Sequence, residues 1–119
     1  MILVDTSVWV DHFRRGNAQL RDLLNEGQVL CHPFILGEIA SGSIRNRSEI
    51  LTLLRLLPEA TGATNQEAMD FLELNRLFGK GLGWVDIHLL ASVRLTGIRL
   101  WTLDTQMSAA AYFLGIVNA

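Results

Sequence analysis

Four carboxylates in this sequence stand in apolar or structurally special places. Asp5 follows Ile2-Leu3-Val4, a short β-forming run of the kind that fills a buried strand. Asp104 follows Leu100-Trp101-Thr102-Leu103 in the same way. Glu38 belongs to the helical stretch beginning at Pro33, and on a helical wheel it falls between Phe34 and Ile35, inside the apolar arc. Asp86, in Gly83-Trp84-Val85-Asp86-Ile87, occupies the first turn of a helix, where the dipole alone favours a carboxylate. The remaining acids, Asp11 and Asp70 among them, sit on plausible solvated faces.

A buried carboxylate is costly unless something pairs with it. If the four converge, they cannot all stay ionised without a counter-charge, and no lysine or arginine is an obvious match. A hard divalent cation is the economical solution, since Mg2+ and Mn2+ take oxygen ligands and need neither cysteine nor histidine. Carboxylate-held Mg2+ suits phosphodiester hydrolysis: one ion lowers the pKa of an attacking water and a second can steady the leaving oxygen. The competing structural reading is that Asp5 and Asp104 each merely cap the helix that follows.

The elements that must position these acids are legible in outline. Strands are expected at Ile2–Val4, Val29–Cys31, Ala60–Ala63 and Ile98–Leu103, with an edge strand at Ile116–Val117. Helices are expected from Thr6 or Ser7, either of which can act as cap, to Arg15, and over Ala18–Asn25, Pro33–Ser41 and Ser48–Leu57. Three more follow: one after the Thr64-Asn65-Gln66-Glu67 capping box, then Trp84–Thr96 and Gln106–Phe113. Alternation of this kind favours a parallel sheet between helices. In such a sheet ligands bind beyond the carboxyl ends of the strands, so Asp5 and Asp104 would face one edge.

The chain has 119 residues, half of them hydrophobic, with no repeats and no linker composition, so one domain over residues 1–119 is expected. No apolar run is long enough to cross a bilayer. Asp5 interrupts the only N-terminal stretch that could imitate a secretion signal, and a cytoplasmic protein is expected. The lone Cys31 excludes an internal disulfide and a cysteine zinc cage. As a nucleophile it would need His32, whose strand neighbourhood points it to the opposite face; a structural thiol is the better reading. His12, His32 and His88 show no metal-ligand spacing and are read as structural or exposed. The net charge of −2 excludes only a globally basic nucleic-acid binder.

Val4-Asp5-Thr6-Ser7-Val8-Trp9, then Glu38, then Gly83-Trp84-Val85-Asp86 through Leu89-Leu90-Ala91-Ser92, then Trp101-Thr102-Leu103-Asp104 together resemble a PIN domain, and more narrowly a VapC-type toxin. The resemblance spans Leu3 to about Tyr112. It implies an α/β/α sandwich around a mainly parallel sheet, usually in a homodimer. It implies a Mg2+- or Mn2+-dependent endoribonuclease acting on structured RNA such as tRNA, and a VapB-type antitoxin that covers the site. Asp5, Glu38, Asp86 and Asp104 match the acidic quartet. Thr6 or Ser7 matches the hydroxyl position after the first aspartate, and Thr102 the threonine before the last. One departure is the run Asp104-Thr105-Gln106-Met107, where relatives often carry a basic residue.

RNA would need cations beside so acidic a pocket. Arg14, Arg45, Arg47 and Lys80 are the candidates. The leucine-rich run from Ile50 to Leu57 is expected to pack in the core, with a partner groove or dimer contact as the alternative. Two rival functions remain at this level. One is a small-molecule phosphohydrolase, disfavoured because Asp5 is followed by Thr6-Ser7 rather than by a second aspartate two residues on. The other is a non-catalytic module that binds metal or RNA.

Overall fold

The computed structural model describes residues 1–116. Three short strands, β1 (Ile2–Val4), β2 (Val29–Leu30) and β3 (Arg99–Trp101), pair in the order β2-β1-β3, and both pairings are parallel. Leu3 stands opposite Leu30 on one side and Leu100 on the other. The three residues of β1 are fully buried, as a central strand covered on both faces requires.

Among the described residues seven helices accompany the sheet: α1 (Thr6–Arg15), α2 (Ala18–Asn25), α3 (Pro33–Ser41), α4 (Arg47–Arg55), α5 (Asn65–Leu74), α6 (Trp84–Thr96) and α7 (Thr105–Phe113). The chain leaves β1 toward β2 and later returns past it to β3. Two right-handed crossovers in opposite directions must lie on opposite faces, which makes an α/β/α sandwich. The reversal of direction occurs at β1, so the crevice at its carboxyl end is where a ligand is received.

Local chemistry sets the helix ends. Asn17 Oδ1 accepts from Leu20 N (3.0 Å) to start α2, and His32 Nδ1 accepts from Phe34 N (3.0 Å) to start α3, with Pro33 at its first position. Thr64 and Glu67 form the expected capping box of α5. Gly97, at φ 72°, takes the left-handed turn that ends α6. Helix α1 departs from expectation: its cap position is Asp5, not Thr6 or Ser7, and no side chain caps it.

Four strand expectations need correction. β2 stops at Leu30, and Cys31 makes only an isolated bridge to Glu59. Ala60–Ala63 forms no strand. Beyond Ala60 N, which reaches Cys31 O (2.9 Å), the backbone is claimed by α6: Thr96 Oγ1 accepts from Thr61 N (2.9 Å), and Ser92 Oγ donates to Thr61 O. Ile116 has no strand either, because its N–H closes the end of α7 on Ala111 O (2.8 Å); Val117 lies outside the described residues. β3 spans Arg99–Trp101, shorter than expected, and α4 begins and ends slightly earlier. In the leucine-rich run, Leu51 and Leu54 enter the core while Leu53 and Leu56 remain exposed.

Candidate active site

Asp5 sits at the carboxyl end of the central strand. Its backbone N–H continues the sheet, donating to Trp101 O (2.9 Å), and its carboxylate is carried into a buried position, 7% exposed. There Oδ2 accepts from two hydroxyls, Ser7 Oγ (2.8 Å) and Thr102 Oγ1 (2.8 Å). Among the described residues the one ion pair is Arg15–Asp11, within α1, and no cation pairs with Asp5. The carboxylate is thus anchored by two neutral hydroxyls, with no cation beside it among the described residues.

The same two hydroxyls bind the loop after β3. Leu103 N donates to Ser7 Oγ (2.9 Å), and Asp104 N donates to Thr102 Oγ1 (3.1 Å). Asp104 is thereby tethered, through one threonine oxygen, to the carboxylate of Asp5. Its own side chain is exposed and caps α7, with Oδ1 accepting from Met107 N (2.9 Å). The capping reading thus describes one use of Asp104 and fails for Asp5.

Glu38 is joined to the site by Thr6, whose Oγ1 donates to Glu38 Oε1 (2.7 Å). The apolar-arc expectation is corrected here, because Glu38 is exposed. Ile35 and Ile39 are buried, but Phe34, on the other side of Glu38, is itself open to solvent, so that part of the arc faces outward.

Asp86 projects from the first turn of α6 and is half-buried, with Oδ2 accepting from Gly83 N (2.9 Å). Burial pushes its pKa up, the Gly83 N–H opposes that, and the charges of Asp5 and Asp104 push it up further. Asp5, Asp86 and Asp104 therefore share one electrostatic neighbourhood, with Glu38 beside Asp5 through Thr6. Among the described residues no three acids, histidines or cysteines stand close enough to grip an ion as they are. The donor chemistry nonetheless fits a hard divalent cation: carboxylate oxygens only, one of them buried, and no cationic partner. Carboxylates in that situation repel one another until a cation joins them.

The basic candidates divide. Arg14 and Arg45 line a groove of about 700 Å³ that also includes Thr6 and Glu38. Arg47 is occupied at the end of α3, its Nε and one terminal nitrogen donating to Ala40 O (3.0 and 2.9 Å). Lys80 Nζ lies 4.0 Å over the Phe113 ring.

The histidines and the cysteine do structural work. His12 Nδ1 accepts from Asn17 N (2.9 Å), His32 caps α3, and His88 Nε2–H donates to Asn65 Oδ1 (3.0 Å). Cys31 is buried and burial raises its pKa, the reverse of an activated thiol. Sequence reasoning passed over Phe34 and Trp84 as ordinary helix residues, although both are exposed and flank the buried ring of His88. Their spacing was the available signal: Phe34 lies one helical turn before Glu38, and Trp84 two residues before Asp86.

The sequence pattern of the PIN domain matches residues 2–112. Two curated proteins, each called Ribonuclease VapC32 and taken from the CDC 1551 / Oshkosh and H37Rv strains of Mycobacterium tuberculosis, are 44% identical to this chain. Each alignment runs over 120 residues, covering 100% of this chain and 97% of the relative. A buried acid at the topological switch of a parallel sheet, three further acids around it, and similarity along the whole chain converge on one conclusion: this chain belongs to the PIN-domain family, among its VapC-type members.

Proposed function

We propose that the protein is a divalent-cation-dependent endoribonuclease toxin, acting as one domain in the cytoplasm and restrained by a VapB-type antitoxin. The observation that carries this reading is Asp5: a buried carboxylate at the end of the central strand, held by Ser7 and Thr102 and lacking any cationic partner among the described residues. The name of the two relatives, ribonuclease, supports the activity.

Asp5 and Asp86 would hold the cation most firmly, and Glu38 and Asp104 would complete its surroundings. Mg2+ is the expected ion, with Mn2+ able to replace it. When bound, such an ion supplies Lewis-acid charge at the scissile phosphate and lowers the pKa of an attacking water. The chain's own residues prepare that chemistry. Ser7 and Thr102 fix the Asp5 carboxylate, Thr6 orients Glu38, and Asp86, whose pKa burial raises, would have to be deprotonated to serve as a ligand. Hydrolysis adds water across one P–O bond, its hydroxyl to phosphorus and its proton to the departing ribose oxygen. Arg14 and Arg45, in the groove beside Glu38, would meet backbone phosphates on the way in. A structured RNA such as tRNA is the proposed substrate and a homodimer the proposed assembly.

The test uses purified protein, free of antitoxin, and a defined pool of cellular tRNA with Mg2+, Mn2+ or EDTA. Asp86→Asn protein runs beside it to exclude contaminating nuclease. Discrete fragments that require metal and vanish in the variant are expected. No cleavage by a folded protein under any metal would sink the reading.

A further inference from the structure

His88 is buried in α6, yet its imidazole meets two rings that are not. The Phe34 ring centroid lies 4.9 Å away at an interplanar angle of 66°, and the Trp84 centroid 4.7 Å away at 89°. Both are edge-to-face contacts, the favoured geometry for aromatic pairs. The hydrogen bond to Asn65 fixes the imidazole, and the His32 ring meets Phe34 at 5.1 Å in a further edge-to-face contact. Phe34 and Trp84 are thus held at defined angles while remaining 37% and 41% exposed.

Their position relates them to the acids. Phe34 and Glu38 share an open hollow of about 510 Å³, together with Val85, the residue before Asp86. Rigid aromatic surface is therefore presented to solvent beside Glu38, in a hollow whose lining includes no lysine or arginine to meet a phosphate backbone.

We infer that Phe34 and Trp84 form a stacking platform for an unpaired nucleobase of the RNA beside the bond to be cut; this rests on the ribonuclease reading above. A base is the occupant that the charges favour. Its face is neutral and planar, so the neighbouring carboxylates do not repel it, and aromatic stacking accepts any base without hydrogen-bond readout. Stacking also supplies affinity that salt does not screen, unlike the contacts of Arg14 and Arg45. An unpaired base is required, because both faces of a base within a duplex are already covered. Cleavage is accordingly directed to loops and single strands.

Two measurements decide this. Trp9 and Trp101 are buried, so contact quenching of tryptophan emission reports mainly on Trp84. In EDTA, where turnover is blocked, a short oligoadenylate should quench the wild-type emission and an RNA duplex of equal length should not. In cleavage assays Phe34→Ala and Trp84→Ala should each raise KM by about tenfold, within the range that loss of one stacked base produces, with kcat changed less than about twofold. Phe34→Tyr and Trp84→Phe should restore KM.

Unchanged KM in both alanine variants, with native circular dichroism, would overturn the platform while leaving the ribonuclease reading intact. Variants that dissociate a dimer in sedimentation but keep wild-type affinity for oligoadenylate would also overturn it, by assigning the rings to a second copy of the chain. If wild type cleaves no RNA, the ribonuclease reading falls, and the emission titration still judges the platform separately: absence of quenching rejects it.

Discussion

Asp5 and Asp104 are written alike in the sequence, each an acid that closes an apolar strand and precedes a helix, yet the fold uses them differently. Asp104 follows an edge strand, stays exposed, and lends Oδ1 to the first turn of α7. Asp5 follows the central strand, with β2 and β3 on either side, is buried, and caps nothing. A capping carboxylate is rewarded by the helix it serves. One held only by hydroxyls serves no helix end, and on the reading proposed above it is kept for the cation it binds. Position in the sheet, rather than local sequence, decides which of the two acids caps a helix and which is buried.

Substitution at the two positions should widen that contrast. Asp5→Asn keeps an oxygen for Ser7 and Thr102 but removes the charge, and cleavage should fall by about a thousandfold or more, a loss of the size expected when a catalytic ion is no longer held. In the same variant the rise in melting temperature that Mg2+ or Mn2+ gives the wild type should disappear. A wild-type rate in Asp5→Asn would break the comparison outright. Asp104→Asn should reduce the rate less, by about tenfold, because the ion retains Asp5 and Asp86.

Removing the hydroxyls comes next in size. Ser7→Ala or Thr102→Ala should weaken metal affinity by about 10- to 100-fold, the usual consequence of losing a group that orients a ligand, read by titrating Mg2+ into the cleavage assay. Stability gives a smaller and opposite signature. Asp104→Ala should cost about 1 kcal/mol in denaturant unfolding through the lost cap, whereas Asp104→Asn, as good a cap, should cost nearly nothing. Equal losses in the two variants would mean that the cap contributes little.

The smallest effect is one of pH. Burial, with Asp5 and Asp104 nearby, raises the Asp86 pKa in the folded chain above its unfolded value. The folded state then holds this proton more tightly. Metal-free stability from this group should be greatest in acid and decline as pH rises from the ordinary carboxylate range through the raised value. Asp86→Asn should flatten that decline in melting temperature measured in EDTA, and an unchanged slope would assign it to other groups.

Much of this was legible before the structure. The central strand, five of the seven helices to within about a residue at each end, and the four candidate acids follow from periodicity, capping residues and polar residues in apolar or helix-start settings; the helix after the Thr64 capping box stops at Leu74, short of Phe78. What escaped depends on contacts between distant segments. The helical wheel hid the exposure of Glu38, because it treats every apolar arc as buried and nothing local reveals that Phe34 faces solvent. Ala60–Ala63 has strand-compatible residues, but Ser92 and Thr96, about thirty residues away, take the backbone groups of Thr61 that a strand would need. The division between Arg47 and Arg45 depends likewise on where the carbonyl of Ala40 happens to lie.

The pair of hydroxyls on Asp5 also sets an order in time. Ser7 leaves the ribosome well before Thr102, which shares its grip on Asp5 across a separation of 97 residues. Until β3 docks beside β1, Asp5 lacks a sheet partner at Trp101, one of its two hydroxyls, and the neighbouring charge of Asp104. On the reading proposed above, translation itself acts as a safety catch. A chain stalled on the ribosome before Arg99 should leave RNA intact, its own message included, and the released full chain should not.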